Sequence, residues 1–427
     1  MDNYKSIAHC DVTLGRFTVL LGLNAAGKSN FLDALRFVRD ALVNGPAEAV
    51  AARGGWEEVL RRVPELATSC TIGLEFHLPA TTRDARPWVG RYEITLAPPT
   101  APETGRNAGP GVLIQRELCE MRRLGAKGRA NAERFLMCDR TGKRRRQKRL
   151  QLSHLSEGEP FADLFAALTE MFFYSPDLAN LRKASPNTPT AGALGEDGGD
   201  LGPALAALGE QERERVSQYL GVIVPGVVEV GPTDPSADYI AARINFATDG
   251  ETEPHIFRAE SMSEGTIRAI GLLTALFQPD AREGWIPLIA VEEPELALHP
   301  LAAGALYDAL TEASEHVQVL ATTQSAELFD RKEADLSAIR VVAAEHGVTV
   351  IGAVDPASRS IVADGLATTA ELLRSDQLRP VVEPRAQPDK QPEGEEGTAR
   401  GSRSPPSATW PAPTHPLSKS SAATSPI

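Results

Sequence analysis

The sequence predicts an α/β fold with a mixed core sheet, an antiparallel β layer and a helical insertion, and three observations predict it. An apolar run at 17–21, "FTVLL", passes through a loop of small residues into apolar positions at helical spacing, Phe31, Leu32, Leu35, Phe37 and Val38. Between 284 and 325 a strand pattern, a helix pattern and a second strand pattern follow one another, as in parallel strands joined by a crossover. Segments 69–78, 90–98 and 111–121 alternate apolar and polar residues as antiparallel strands do.

Taken in order, "FTVLL" reads as a buried strand and 30–43 as the helix that follows it. The three alternating segments are expected to form a second layer. From about 160 to 222, "FADLFAALTEMFFYS" and "LGPALAALGEQERERVSQYLGVIV" read as helices around a Gly-rich loop at 186–202. Residues 226–258 return to short strands, and 263–278 forms an apolar-faced helix. "WIPLIAVEEPE" is a strand ending in carboxylates, "HPLAAGALYDALTEAS" a helix and "VQVLATTQSAELFD" a strand with a turn after it. "LSAIRVVAAEHGVTVIGA" reads as a late strand pair. The organisation is therefore one unit over 1–370, with an insertion at about 130–225. From 380 to 427 the chain is rich in Pro, Ser and Glu with isolated apolar residues, and reads as a disordered tail.

The chain has 427 residues and a formal net charge of -13, from 44 basic and 57 acidic side chains, which speaks against general coating of nucleic acid. One basic patch stands apart at 140–149, where Arg144, Arg145, Arg146, Lys148 and Arg149 fall close together. It reads as a solvated loop or as a contact for DNA or an acidic partner. No apolar run is long enough to span a membrane, and the first residues lack a signal-peptide pattern, so a cytoplasmic location is expected. Cys10, Cys70, Cys119 and Cys138 are scattered, without zinc-ligand spacing, and read as reduced thiols.

Gly22-Leu23-Asn24-Ala25-Ala26-Gly27-Lys28-Ser29 fits G-x-x-x-x-G-K-[ST], with a strand before it and Asn30 opening the helix after it. Gly22 allows a tight exit from the strand, and Gly27 a close approach of backbone to phosphate. Backbone amides and the helix N-terminus favour phosphate oxygens, Lys28 reaches the β- and γ-phosphates, and the Ser29 hydroxyl ligates Mg²⁺. Carboxylates at the end of an apolar strand are costly unless a cation or hydrogen bonds compensate. Glu292 and Glu293 point to opposite sides there, so Glu292 is assigned to the metal and Glu293 to the attacking water, while Glu295 reads as structural or solvated. "SMSEG" at 261–265 opens a helix. Ser263 reads as its cap, or Ser263 with the amides of Glu264 and Gly265 binds a γ-phosphate across an interface.

The three motifs in this order resemble the ATP-binding heads of the ABC superfamily, and among them the RecF/SMC/OLD-like AAA family ATPases. "NYKSI", "RGGWEEVLRR" and "YSPDLANLRKAS" add to the resemblance, which covers roughly 1–370. It implies a P-loop NTPase fold of the ABC head type, ATP and Mg²⁺ as cofactors, and hydrolysis at composite sites of an ATP-dependent homodimer. It implies a Walker A loop at Gly22, Asn24, Gly27, Lys28 and Ser29, which also contains Ala25 and Ala26 and is followed by Asn30. Glu292 then takes the Walker B position and Glu293 the catalytic position, and Ser263, Glu264 and Gly265 complete the partner's site. Gln324 takes a switch position often held by His, and His299 falls in the D-loop as an interface or packing residue. Gln115 is the nearest candidate for the glutamine loop. The resemblance also implies a strand before "NYKS", so the start reads as truncated or misassigned. No heptad run for an SMC arm and no second acidic cluster of a TOPRIM domain is present, which describes a stand-alone head working with a separate nuclease or effector. DNA repair, chromosome maintenance and anti-phage defence are the settings this suggests. A slow-hydrolysing, nucleotide-gated signalling module is the alternative. A transporter subunit and a purely structural protein fit the motifs less well.

Overall fold

The computed structural model describes residues 1–63, 65–78, 87–99, 111–123, 134–139, 149–155, 161–188, 193–248, 253–325, 327–329, 335–375 and 377–381. Arg144, Arg145, Arg146 and Lys148 of the basic patch, and the tail from 382 onward, lie outside the described residues. Among the described residues, no helix is long and apolar enough to cross a membrane.

A 13-stranded mixed sheet organises the described chain. Its parallel block consists, side by side, of Ile339–Glu345, Phe17–Leu21, Gln318–Thr323, Leu288–Glu292 and Phe172–Tyr174. These strands are nearly continuous apolar runs because both of their faces are covered. Val348–Val354 folds back antiparallel on Ile339–Glu345. Beyond it come the short hairpin Asp2–Tyr4 and Ile7–His9, then the long antiparallel strands Cys70–Leu78, Trp88–Ala97, Leu113–Arg123 and Arg134–Asp139. The antiparallel layer is thus hydrogen-bonded edge to edge with the core through the N-terminal hairpin. Alternation reports a half-buried strand but carries no information about which edge it will meet.

The segment read as all-helical at 160–175 divides. The helix Phe161–Thr169 ends, and Phe172–Tyr174 becomes the edge of the parallel block, paired with Leu288–Glu292. Three aromatic residues in succession suit a pleated surface better than a helix. The long helical run after it is two helices, Leu201–Ala207 and Glu210–Ile223, broken at Leu208 and Gly209. Val227–Pro232, Ala242–Phe246 and His255–Arg258 form a separate three-stranded antiparallel sheet.

The period-2 alternation of the parallel strands sorts their side chains onto two faces. Val19, Leu21, Ile289, Val291, Val319 and Ala321 pack with Ile267, Ile270 and Leu273 of the helix Glu264–Phe277 and with Leu306 and Leu310 of Ala303–Ala313. Leu20, Leu288, Ala290 and Leu320 pack instead with Phe31, Leu32 and Leu35 of the helix Lys28–Val43. The two helices that carry the sequence motifs therefore lie on opposite faces of one sheet.

The helix Lys28–Val43 is tied to the hairpin by a half-buried polar cluster. Asp33 accepts from the Tyr4 hydroxyl at 2.7 Å and from Arg53 Nε at 2.9 Å, and pairs with Lys5 at 2.6 Å; Arg53 also reaches Asp40 at 3.0 Å. Burial alone raises a carboxyl pKa, but the bonds from Arg53 and Lys5 outweigh it and hold Asp33 below the usual range. Tyr4 and Lys5 of "NYKS" and Arg53 of "RGG" meet in this cluster.

Candidate functional site

The site is built where three parallel strands end together. The register aligns Leu21 with Thr323, and Thr322 with Glu292, so Gly22, Gln324 and Glu293 follow one another across the carboxyl edge of the sheet. A crevice at the carboxyl ends of such strands is where open α/β sheets bind ligands. The strand Gln318–Thr323 joins the two motif-bearing strands. Gly22 N donates to Thr323 O at 3.2 Å, and Glu293 N donates to Thr322 O at 2.9 Å.

The loop Gly22–Ser29 arches from this edge into the helix Lys28–Val43. Gly27 sits at φ 105°, a conformation that costs an L residue. A Cβ added there would lie 2.0 Å from Thr349 Oγ1, and one added at Gly22 would lie 2.1 Å from Val342 O. Both glycines are therefore demanded by protein packed behind the loop, a reason the motif alone does not reveal. Thr349 donates to Ala26 O at 2.9 Å and shares a 2.6 Å hydrogen bond with Ser6 Oγ, which also accepts from Asn30 Nδ2 at 2.6 Å. The Asn30 side chain is engaged with Ser6, behind the loop. Ser6 and Thr349 brace the loop and were not legible in advance, because a lone Ser and a lone strand Thr carry no spacing signal.

Lys28 is buried, at 6% exposure, and its ammonium donates to Gly22 O at 2.8 Å and Leu23 O at 3.0 Å. Burial lowers its pKa, partly countered by the nearby charges of Glu293, Glu295 and Glu292. Asn24 and Ala25 are exposed at the loop's crest and Ala26 is buried beneath it. Ser29 Oγ donates to Glu292 Oε2 at 2.5 Å, which brings the two residues assigned to the metal together. A hydroxyl and a carboxylate are the oxygen donors a hard divalent cation takes, and a buried ammonium held by its own loop's carbonyls suits a polyphosphate. The residues present fit Mg²⁺ and the phosphates of a nucleotide.

Glu293 occupies the left-handed region at φ 45° and is followed by Pro294. A non-glycine residue held there carries about 1–3 kcal/mol of local strain, which the bond to Thr322 O offsets. The turn brings the Glu293 carboxylate beside Gln324, whose Nε2 donates to it at 3.3 Å. Glu295 turns inward, with one oxygen accepting from the Thr323 hydroxyl. His299 is exposed, and its Nδ1 accepts from Leu301 N at 3.3 Å, capping a short turn.

Ser263 caps the helix Glu264–Phe277, accepting from Thr266 N at 3.2 Å. Ser263 and Glu264 are exposed, and Glu264 accepts from Arg268 at 2.9 Å. Gly265 is buried against the loop after Glu293: a Cβ there would lie 2.3 Å from Ala297 O. The structure brings Lys28, Ser29, Glu292, Glu293 and Gln324 together and places Ser263, Glu264 and Gly265 on the helix of the other face. Gln115 lies elsewhere. It stands at an irregularity in the strand Leu113–Arg123, beyond the N-terminal hairpin from the phosphate loop.

A parallel sheet with this glycine-rich loop and this acidic edge defines a P-loop NTPase fold. The chain belongs to the family described as "AAA domain, putative AbiEii toxin, Type IV TA system", whose profile matches residues 17–88 and 139–330. No curated protein matches it in sequence. Among solved structures it is similar to an SMC head bound to the C-terminal winged-helix domain of ScpA, with 16% identity and a TM-score of 0.50, over 84% of this chain and 97% of that one. An SMC head with an extended coiled coil, bound to the C-terminal domain of ScpA and derived from Pyrococcus furiosus, matches at 12% identity and a TM-score of 0.45, over 85% and 97%. The SMC head from Thermotoga maritima matches at 12% and 0.38, over 83% and 97%. The first of these supports the fold.

Proposed function

We propose that this protein hydrolyses ATP at composite sites formed between two copies of the chain. The observation that carries this reading is the placement of the motif helices. The phosphate loop opens onto one face of the sheet, and the Ser263 helix packs on the other. A single chain therefore offers half of each site, with Ser263, Glu264, Leu296 and Leu301 exposed for a partner, the last at 87%.

In this reading the Gly22–Ser29 amides and Lys28 bind the β- and γ-phosphates. Ser29 and Glu292 would hold Mg²⁺, which supplies neutralisation of phosphate charge when bound. Glu293 orients a water for in-line attack on the γ-phosphorus. The bond to the β–γ bridging oxygen breaks, ADP and phosphate leave, and the water's protons pass to phosphate and solvent. Gln324 donates a hydrogen bond to the γ-phosphate in place of Glu293. Ser263 and the Glu264 and Gly265 amides arrive from the second copy, so charge developing on the phosphate meets donors already in place. ATP thereby joins two heads and hydrolysis releases them.

The test is turnover by purified protein beside Lys28→Ala and Glu293→Gln. Both variants lose turnover, and Glu293→Gln accumulates as an ATP-bound dimer in sizing measurements. Monomers of Glu293→Gln persisting at saturating ATP would overturn the composite site. A second reading, a slow nucleotide-gated module, is favoured by the Gln324–Glu293 hydrogen bond, which keeps the carboxylate engaged. Tight ATP binding without turnover by the wild-type chain would select it. We place the activity in the cytoplasm, in DNA repair, chromosome maintenance or defence, with a separate nuclease or effector as partner. Stimulation of turnover by DNA, lost on charge reversal of Arg144, Arg145 and Arg146, tests the DNA contact.

A further inference from the structure

Glu295 is a carboxylate that the reading above leaves without a task. It is half-buried two residues beyond Glu293, and one oxygen accepts from the Thr323 hydroxyl. Among the described residues, its other oxygen is buried with no hydrogen-bond partner. An arrangement of this kind costs stability, and a turn that needed only a cap would be served by a smaller residue. Thr323 is fully buried, and its hydroxyl also accepts from Ser325 N at 2.9 Å, across Gln324. The same residue's carbonyl accepts from Gly22 N, and its neighbour Thr322 holds Glu293 N. Thr323 is thus joined to the acidic turn, the phosphate loop and the turn that carries Gln324.

We propose that Glu295 is a positioning residue for hydrolysis. It acts through the Thr323 hydroxyl to hold the Gln324 turn in register with the Glu293 turn, and it serves the chemical step rather than nucleotide binding. The idea rests on the ATPase reading above and deepens it. Without the Glu295 acceptor the Thr323 hydroxyl is free to rotate, the Ser325 amide loses a fixed partner, and Gln324 is no longer held beside the water that Glu293 orients. Misplacement of one group in such a constellation costs rate far more than affinity.

Steady-state turnover of the full chain is measured for Glu295→Ala, Glu295→Gln, Thr323→Val and Thr323→Ser, with nucleotide affinity measured separately on each. The proposal expects kcat to fall on the order of ten- to a hundredfold in Glu295→Ala and Thr323→Val, with KM and affinity within about threefold. Glu295→Gln keeps an acceptor and Thr323→Ser keeps the hydroxyl, so each recovers most of the loss. Because both residues act through one link, the double variant is no slower than the worse single one. Thr323→Val is nearly isosteric and reports on the link even where Glu295→Ala folds poorly. Unchanged kcat in Glu295→Ala, losses that multiply in the double variant, or equal losses in kcat and affinity would each overturn the proposal while wild-type turnover leaves the ATPase reading standing. Absence of turnover in the wild type itself would overturn both.

Discussion

Replacement of Gly27 by alanine separates two reasons for a glycine in the phosphate loop. If the residue serves only the approach of phosphate, the free protein should tolerate the change. The structure says otherwise. At φ 105° an added Cβ costs about 1–2 kcal/mol in backbone strain. That Cβ would also lie 2.0 Å from Thr349 Oγ1, so Thr349 must move off Ser6 and Ala26, two hydrogen bonds worth about 1 kcal/mol each. Alanine recovers about 0.4–1 kcal/mol by restricting the unfolded chain, which leaves a net loss of about 2–4 kcal/mol. Denaturant titration without nucleotide reads this directly. Thr349→Ala removes the two nearest atoms and leaves its own Cβ at 2.9 Å, so in the Gly27→Ala background it should cost about 1–2 kcal/mol less than alone. A Gly27→Ala protein as stable as wild type without nucleotide, and deficient only in binding it, would refute the packing argument.

Two other perturbations follow from buried polar groups. Asp33→Asn should lower stability at neutral pH by about 2–3 kcal/mol, less than a fully buried pair because Arg53 keeps Asp40. Asp33 is held below its unfolded pKa, so its contribution is present above about pH 4 and is lost as pH falls through the lower folded value. Denaturation midpoints against pH should therefore show a shallower acid limb in the variant, and parallel limbs would contradict the cluster. Among the described residues, the buried Tyr174 hydroxyl has no hydrogen-bond partner, and it faces Gly271. Tyr174→Phe should be neutral or stabilising by up to about 1 kcal/mol, and a loss beyond that in thermal unfolding would show that the hydroxyl has a partner.

The site was legible where chemistry imposes spacing. Gly22 to Ser29 and the Glu292–Glu293 pair stand out because residue types at fixed offsets have few other reasons to occur together, whereas Gln324 is named only through the family resemblance. The parallel strands were legible because covering both faces makes them continuous apolar runs. What escaped was pairing and bracing. Nothing in 69–121 says that those strands join the core through the hairpin at 2–9. Phe172–Tyr174 was hidden by the helix before it, since three residues are too few to show a period. Ser6, Thr349 and Thr323 act through single hydrogen bonds to residues distant in sequence, and single bonds leave no pattern. Gln115 was chosen for its residue type alone, and its place in the antiparallel wing shows how little type says without position.

The central claim is that one chain supplies the phosphate loop and another the Ser263 helix. Mixing two inactive variants tests it most directly: Lys28→Ala, with a dead loop and an intact Ser263 helix, and Ser263→Arg, with the reverse. Random pairing in a twofold dimer leaves one intact site in half of the dimers, so turnover should return to about one quarter of wild type. A mixture as inactive as either variant alone, with both shown to be folded and exchanging subunits, would contradict the claim.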